Sequence, residues 1–184
     1  MSILTHDEIL EAIEKGEIKI EPFDRQAVGA ASVDLRISRF FRKLVKKSDP
    51  IEVRPEVDYR DPSITQLIEV KESEFVELAP GETLLGITHE RIKLADDVCG
   101  WFEGRSRIAR LGHLIHISAG FMQPGTHNNQ VLEISNMGPR FLRLYPMTSI
   151  CQFVFQRTRG KAHHGGRYTT QSIDDFRAAP AQRR

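Results

Sequence analysis

The sequence predicts a mainly all-β protein with a short N-terminal helix and one short internal helix. Nine short apolar segments are spaced by roughly ten residues and separated by Gly or Pro, a pattern typical of a β-barrel or sandwich. Several of these segments alternate apolar and polar residues, which is the period of a strand with one buried face. Only residues 5–16 and 106–112 have the composition of helices.

The N-terminal helix has a defined start and end. Thr5 and Glu8 have the spacing of a capping box. Apolar side chains from Ile9 to Ile13 form one stripe along the helix, and Gly16 is a suitable stop. We expect this helix to pack against the domain and to carry no chemistry.

The remaining elements follow from the same patterns. The internal helix is predicted from Ser106 to Leu111, and Gly112 ends it. Residues 46–66 are polar and Pro-rich and are predicted to form a surface excursion. The predicted strands are residues 18–20, 33–37, 75–78, 84–87, 98–102, 114–117, 131–134, 141–144 and 150–155.

The composition is that of an ordinary globular domain with an uneven charge. The chain has 184 residues, of which 40% are apolar, enough to bury a core without disulfides. Its net charge of +1 argues against a uniformly basic nucleic-acid-binding surface. Residues 157–184 hold seven basic and two acidic residues, a net charge of +5, which leaves −4 for residues 1–156. We therefore predict a β domain over residues 1–156 and a basic tail over residues 157–184, whose last residues are disordered.

Several other classes of protein are excluded. Cys99 and Cys151 are too few and too far apart for a disulfide framework or a CxxC site. No apolar run approaches the length of a membrane span, and the N-terminal residues lack the pattern of a signal peptide. We expect a reduced, cytoplasmic protein that binds neither membranes nor nucleic acids.

Common phosphate- and metal-binding motifs are absent from the sequence. It has no P-loop and no GxGxxG, no HExxH and no GxSxG, and no zinc nucleobase-deaminase signature. His113 and His116 lie three residues apart and His163 and His164 are adjacent, but neither pair has a third ligand at suitable spacing. We therefore expect no protein-bound metal.

Residues 104–112 concentrate positive charge at the start of a short helix. Arg105, Arg107 and Arg110 surround Ser106 directly after a predicted strand. Arginines at a helix N-terminus oppose the helix dipole, and a bound anion would offset that cost. The segment is therefore either a polyphosphate or carboxylate site or a solvated basic helix that Ser106 caps.

The segment from Ser118 to Gly125 suits a small-molecule pocket. Gly120 allows a ligand to approach the backbone closely. Phe121 and Met122 either line a base pocket or belong to the core.

Glu133 is a candidate for proton transfer. In the predicted strand, Glu133 and Val131 share one face, and Leu132 and Ile134 share the other. Glu133 is a surface acid if its face is solvated. If that face is covered, Glu133 is a buried carboxylate with a raised pKa.

In this order and at this spacing, these segments resemble one family, the dCTP deaminases and the related trimeric dUTPases. The similarity includes residues 29–36 (GAASVDLR), residues 104–112, the fourteen-residue interval between Ala119 and Glu133, and residues 167–171. The resemblance covers nearly the whole chain. It implies a distorted β-barrel or jelly roll of the dUTPase-like type, assembled as a homotrimer with active sites between subunits.

The resemblance also implies an activity. The family deaminates dCTP to dUTP and ammonia by hydrolysis, in the supply of dUMP and dTTP. No catalytic metal is implied, and Mg²⁺ would be bound only through the nucleotide triphosphate.

Residue roles follow from the same resemblance. Glu133 would act as general base and acid, while Ser106 and the carbonyl group of Ala119 hold the attacking water. Arg110 would polarise the reacting centre, and the basic tail would close over the phosphates. The residues that would contact the substrate are Arg105, Arg107, Gly120, Gln123, Arg167, Tyr168 and Gln171.

Gln123 departs from the family pattern, in which an acid contacts the 3′-hydroxyl of the deoxyribose. An amide still accepts a hydrogen bond, but it cannot act as a base. A dCTP deaminase is therefore favoured over a dUTP diphosphatase or a bifunctional deaminase–diphosphatase. A third hypothesis is a nucleotide-binding relative that has lost catalysis or changed its substrate, because residues 126–129 (THNN) also replace the usual aromatic residue and glycine.

Overall fold

The computed structural model describes residues 2–116 and 118–180, which form thirteen strands and three short α-helices. The helices are α1 (His6–Glu14), α2 (Ser106–Ala109) and α3 (Ile173–Arg177). The strands are β1 (Ile18–Glu21), β2 (Val33–Leu44), β3 (Thr65–Glu69), β4 (Val76–Leu78), β5 (Thr83–Thr88), β6 (Arg91–Leu94), β7 (Val98–Gly104), β8 (His113–Ile115), β9 (Phe121–Met122), β10 (His127–Asn128), β11 (Val131–Asn136), β12 (Leu142–Leu144) and β13 (Ser149–Arg157). No helix in these residues is long and apolar enough to cross a membrane.

Antiparallel sheets make up most of the domain. The largest has eight strands in the order β8-β11-β5-β2-β13-β7-β9, with β3 paired to β2. The order β1-β6-β10 forms a three-stranded sheet, and β12 pairs with β4. The predicted mainly β fold is confirmed, in the form of a curled antiparallel half-barrel.

The long strand β2 lies at the centre of the largest sheet. It pairs with β13, β5 and β3, and Leu35, Ile37 and Phe41 on it are fully buried. Phe153 and Phe155 of β13 are also fully buried, and their rings pack edge to face at 4.7 Å. Burying such aromatic side chains is the main favourable contribution to folding here.

The predicted helices are confirmed. The backbone N–H of Thr5 donates to the Glu8 carboxylate at 2.8 Å, which is half of a capping box, and Gly16 follows α1 with φ +72°. Gly112 follows α2 with φ +86°. However, Arg105 rather than Ser106 occupies the N-cap position of α2, so Ser106 is the first helical residue.

Several elements are not predicted from the sequence. Strands β9 and β10 have two residues each, too few for a period to show, and Thr65 is the one buried residue of β3, which follows the polar excursion. The five-residue helix α3 is also not predicted, because the sequence of this region indicates only a basic tail. The predicted strand 114–117 is β8, and its last predicted residue, like the predicted disorder at residues 181–184, lies outside the described residues.

The C-terminal segment after β13 (residues 158–180, hereafter the tail) packs against the domain. The Phe176 side chain of α3 is fully buried. The buried Arg42 guanidinium donates from Nε to the carbonyl oxygen of Phe176 at 2.8 Å and from Nη2 to that of Ala178 at 3.0 Å. A buried charge requires such partners, so Arg42 fixes the end of the tail to β2.

The loop between β2 and β3 (residues 45–64, hereafter the β2–β3 loop) corresponds to the predicted excursion. It lacks regular structure, as predicted, but it is not wholly on the surface. Asp58 is only 9% exposed, and Tyr59 is partly buried against the tail.

Substitution of Gly100 tests the packing of β7 on β13. A Cβ atom at Gly100 would meet the carbonyl oxygen of Val154 and the Phe153 ring. We expect Gly100→Ala to lower the free energy of unfolding by about 1–3 kcal/mol, because neither neighbour can move freely. Urea denaturation at one fixed protein concentration measures this change.

Gly165→Ala is the matched control, since a Cβ atom there would have no neighbour within 4 Å. We expect it to change the free energy of unfolding by less than about 0.5 kcal/mol. Equal effects of the two substitutions would contradict the packing described for Gly100.

Candidate active site

A cavity of about 360 Å³ lies between β11, residues 116–126 and the tail. Five residues predicted for the site line it: Ala119, Gln123, Glu133, Tyr168 and Gln171. The structure thus brings together the central motif and the tail motif, which are far apart in the sequence.

Strand β11 directs Glu133 into this cavity. Leu132 and Ile134 are fully buried in the core, so the side chain between them must lie on the opposite face. The Glu133 side chain is 42% exposed and lies beside Leu85 of the neighbouring strand β5. Glu133 is therefore neither a fully solvated surface acid nor a fully covered one.

His116 is the hydrogen-bond partner of the Glu133 carboxylate. His116 Nδ1 lies 2.7 Å from Glu133 Oε2, and His116 Nε2 lies 3.2 Å from Gln130 Nε2. Because an amide nitrogen only donates, His116 Nε2 accepts from Gln130 and Nδ1 carries the proton that it donates to Glu133. The His116 backbone has φ +49°, and its N–H donates to the carbonyl oxygen of Glu133 at 2.9 Å. A left-handed conformation is unusual for a residue other than glycine, and here it places the ring against the carboxylate.

The raised pKa expected for a covered Glu133 is not found. Burial raises the pKa of Glu133, but the hydrogen bond from His116 lowers it, and the pKa lies below its ordinary value. Glu133 is therefore ionised near neutral pH and can accept a proton.

The tail forms one wall of the cavity by pairing with β10 and the residues after it. The backbone N–H of His127 donates to the carbonyl oxygen of Thr169 at 2.8 Å, and that of Asn129 donates to Gln171 at 2.9 Å. The side-chain amide of Asn128 donates to the carbonyl oxygen of Tyr168 at 2.9 Å. These bonds hold Tyr168 and Gln171 at the cavity.

The arginine-rich segment lies apart from the cavity within one chain. Ser106 and Arg107 of α2, and Arg110 directly after it, are exposed and do not line the cavity. Arg105 is half-buried and pairs with Asp34 at 2.5 Å. The predicted proximity of Ser106 and Arg110 to Glu133 is thus absent from the single chain.

Arg167 also lies outside the cavity. Its Nη2 lies 2.6 Å from Oδ2 of Asp58, which also pairs with Arg60. The hydrogen bond from Arg60, together with the Arg60 and Arg167 charges, lowers the pKa of Asp58 to about 2 despite burial. Asp58 is therefore ionised and available to Arg167 at any pH above the ordinary Asp pKa, and this charge is lost only as the pH falls toward about 2.

The remaining predicted residues have different positions. Gln123 lines the cavity. Gly120 does not, but its carbonyl oxygen accepts from the Phe102 backbone N–H at 2.9 Å, and a Cβ atom there would lie 3.3 Å from the carbonyl oxygen of His116. Gly120 therefore allows the close packing that shapes the cavity wall.

Sequence reasoning missed His116 and Tyr59, which both line the cavity. His116 lies three residues before Ala119, a position that indicates the pocket, whereas its spacing from His113 suggests only a metal ligand. Tyr59 lies in an irregular loop and has no periodic signal. No cluster of three or more His, Cys, Asp or Glu side chains that could hold a metal occurs in residues 2–116 and 118–180.

Comparison with known proteins gives a consistent result. A dCTP deaminase-like family model matches residues 3–158. A protein of Nocardioides sp. named "dCTP deaminase, dUMP-forming" is 36% identical over 176 residues, which cover 92% of this chain and 91% of that protein. A protein of the same name from Methanothermobacter thermautotrophicus is 38% identical over 164 residues, covering 85% and 79% of the two chains.

A solved structure supports the fold. The 2′-deoxycytidine 5′-triphosphate deaminase of Agrobacterium tumefaciens superimposes with a TM-score of 0.63 at 20% identity, over 85% of this chain and 48% of that one. The family model matches residues 3–158, and the two relatives are more than one-third identical to this chain over most of their length. The chain therefore belongs to the dCTP deaminase-like family, as the sequence predicted.

Proposed function

We propose that this protein removes the C4 amino group of dCTP by hydrolysis, and that Glu133 transfers the protons that the reaction requires. The observation that carries the proposal is the position of Glu133, an ionised carboxylate that projects into a cavity of which the tail forms one wall. Family membership supports the enzyme class. The cytoplasm, where nucleotides are made, is the expected site of action.

The proposed reaction needs one proton-transferring group. Glu133 takes a proton from water, the resulting hydroxide attacks C4, and the proton passes to N3 of the pyrimidine. Glu133 then moves the proton of the new C4 hydroxyl group to the exocyclic nitrogen, and C4 becomes a carbonyl carbon as the C4–N bond breaks and ammonia leaves. The sum is that dCTP and water give dUTP and ammonia. The carbonyl oxygen of Ala119, a residue that lines the cavity, is a suitable acceptor for the attacking water.

We propose that the reaction needs no protein-bound metal. Among residues 2–116 and 118–180, the titratable side chains at the cavity are a carboxylate, two histidines and two tyrosines: Glu133, His116, His164, Tyr59 and Tyr168. Only one of them is a carboxylate, the group that could activate water directly. Mg²⁺ would arrive with the substrate, bound to its phosphates.

A neighbouring subunit would complete the site. Arg110 and Ser106 are exposed and separate from Glu133 in one chain, whereas a triphosphate needs basic partners beside the cavity. In the proposed homotrimer, α2 of one subunit lies against the cavity of the next. Its arginines then meet the phosphates, and an anion at α2 offsets the positive charge at the helix start.

A second candidate product is dUMP, because the relatives are named dUMP-forming. That product requires hydrolysis of dUTP after deamination, with a group that activates water for attack on phosphorus. The residue at the expected position is Gln123, which cannot act as a base. Gln123 therefore favours dUTP as the product of this chain.

Glu133→Gln tests the proton transfer. The amide keeps the shape of the side chain but cannot accept a proton, so we expect ammonia release from dCTP to fall by about 100-fold or more. Binding of dCTP, measured by calorimetry, should survive.

Glu72→Gln, which changes an exposed loop residue, is the control. Turnover by Glu133→Gln within about tenfold of the parent would refute the assignment. Tight dCTP binding by the unmodified chain without any turnover would instead favour the non-catalytic hypothesis.

Mixed trimers test the shared site. Glu133→Gln and Arg110→Ala chains should each be inactive alone. When two differently tagged variants are coexpressed and the mixed trimers are purified, some sites combine an intact Glu133 with an intact Arg110 from the neighbour. Each mixed trimer has one such site among its three, so about a third of the sites should be restored. If both residues acted within one chain, no activity would return.

Product analysis tests the role of Gln123. We expect chromatography of a dCTP reaction to show dUTP and ammonia in equal amounts, with little pyrophosphate. Gln123→Asp restores an acid at this position and should increase the release of pyrophosphate and dUMP. Stoichiometric dUMP from the unmodified chain would show that Gln123 does not prevent the second hydrolysis.

A further inference from the structure

Gln130 contacts the site through its side chain, although the chemistry proposed above gives it no part. It directly precedes β11 and lines the cavity together with His116 and Glu133. Its backbone N–H donates to the Thr88 hydroxyl at 2.9 Å, and its carbonyl oxygen accepts from the Thr88 backbone N–H at 2.9 Å. Both backbone groups of Gln130 are thus bound to β5, so its side chain starts from a fixed position.

The orientation of the Gln130 amide follows from its two contacts. Nε2 lies 3.2 Å from Nε2 of His116 and donates to the carbonyl oxygen of Val131 at 3.4 Å. A carbonyl oxygen only accepts, so rotation of the amide by half a turn would place two acceptor oxygens against each other. The amide nitrogen carries two protons, which allows it to donate to Val131 and to His116 at once. Gln130 is therefore a donor toward His116 and not an acceptor.

This orientation decides the charge of His116. Nδ1 carries a proton in either case, because its partner 2.7 Å away is the ionised carboxylate of Glu133, which only accepts. A second proton, on Nε2, would make the ring a cation and would point at the N–H of Gln130. With Gln130 as the donor, Nε2 keeps its lone pair and the ring is neutral.

The surroundings of the ring favour the neutral form. The His116 side chain is only 2% exposed, and its ring packs edge to face on Phe102 of β7, with the centroids 5.4 Å apart. A cation in such a place loses most of its hydration, and pairing with Glu133 would offset only part of that cost. Gln130 covers the nitrogen at which a second proton would bind.

The charge of His116 matters because Glu133 has to take up protons and release them again. A neutral ring donates one hydrogen bond, which orients the Glu133 carboxylate and favours its ionised form. An imidazolium 2.7 Å away would add a full positive charge, which would hold Glu133 as a carboxylate and make it a weaker base.

We propose that Gln130 is a positioning residue for proton transfer: its amide nitrogen donates to Nε2 of His116 and so keeps the ring neutral, with its one ring-nitrogen proton on Nδ1 and directed at Glu133. This inference rests on the proposed function, because Glu133 is the group that would move the protons. It gives a role in the reaction to a residue that no sequence motif indicates.

The protonation of His116 can be measured in the unmodified chain. In protein labelled with ¹⁵N at histidine, long-range ¹H–¹⁵N correlation spectra distinguish a ring nitrogen that carries a proton from one that does not. The His116 signals are those that disappear in His116→Asn. We expect a ring protonated only at Nδ1, at neutral pH and without nucleotide. Protons on both ring nitrogens would overturn the inference, whether or not the chain turns over dCTP.

Gln130→Glu replaces the donor with an acceptor of nearly the same shape. A carboxylate beside Nε2 favours a second proton on the ring, so we expect both ring nitrogens of His116 to be protonated in this variant. Glu133 then faces a cation, and kcat for ammonia release from dCTP should fall about tenfold to a hundredfold. Gln66→Glu makes the same change at an exposed residue of β3 that does not line the cavity, and it should alter neither the spectrum nor kcat.

A second background separates the effect on His116 from the added charge itself. Asparagine tolerates the left-handed backbone of residue 116, and its amide can donate to Glu133, but it cannot become a cation. In the His116→Asn background, Gln130→Glu should therefore lower kcat further by less than about twofold. Equal losses in both backgrounds would mean that the new carboxylate acts directly on the substrate or on Glu133, and would overturn the role proposed for Gln130.

The outcomes separate this inference from the proposed function. An unchanged His116 spectrum in Gln130→Glu, or an unchanged kcat, would overturn the inference and leave the proposed deaminase intact. Absence of ammonia release from dCTP by the unmodified chain would overturn the proposed function and, with it, the role of Gln130 in the reaction, even if the His116 ring proved to be neutral.

Discussion

The register of β11 is the constraint on which the site depends. Leu132 and Ile134 are fully buried, and a strand has a strict period of two, so Glu133 must face the cavity. A shift of one residue would bury the carboxylate in the core and expose two large apolar side chains, at a cost of several kcal/mol. The hydrophobic core therefore orients the reactive group, with no strain at Glu133 itself.

Polar contacts between distant segments complete the cavity. Arg42 and Asp58 are both buried and charged, and each has partners in the tail, carbonyl groups in one case and Arg167, beside Arg60 of its own loop, in the other. Leaving either group without its partners would cost several kcal/mol. Undocking the tail would therefore expose Phe176 and break these polar contacts at the same time, which explains why a segment with a net positive charge lies against the domain.

The position of the arginines explains why one chain is insufficient. Arg107 of α2 and Arg110 directly after the helix face solvent, while no arginine among residues 2–116 and 118–180 lines the cavity that contains Glu133. Under the proposed function, assembly supplies the missing positive charge and also covers the exposed side of Glu133. Substrate binding and subunit association would then reinforce each other, since both bring groups of opposite charge together in a site with little water.

The sequence by itself determined the fold class, both predicted helices, nine of the strands and the face of β11 on which Glu133 lies. These features depend on local periods, on caps such as Thr5 and on turn residues such as Gly16, all of which act between near neighbours. Only the tertiary structure decided the partners of the site residues. His116 meets Glu133 because of an unusual backbone conformation, and Tyr59 meets Gln171 across more than a hundred positions. No local pattern encodes such a contact, because its free energy comes from the packing of whole segments against one another.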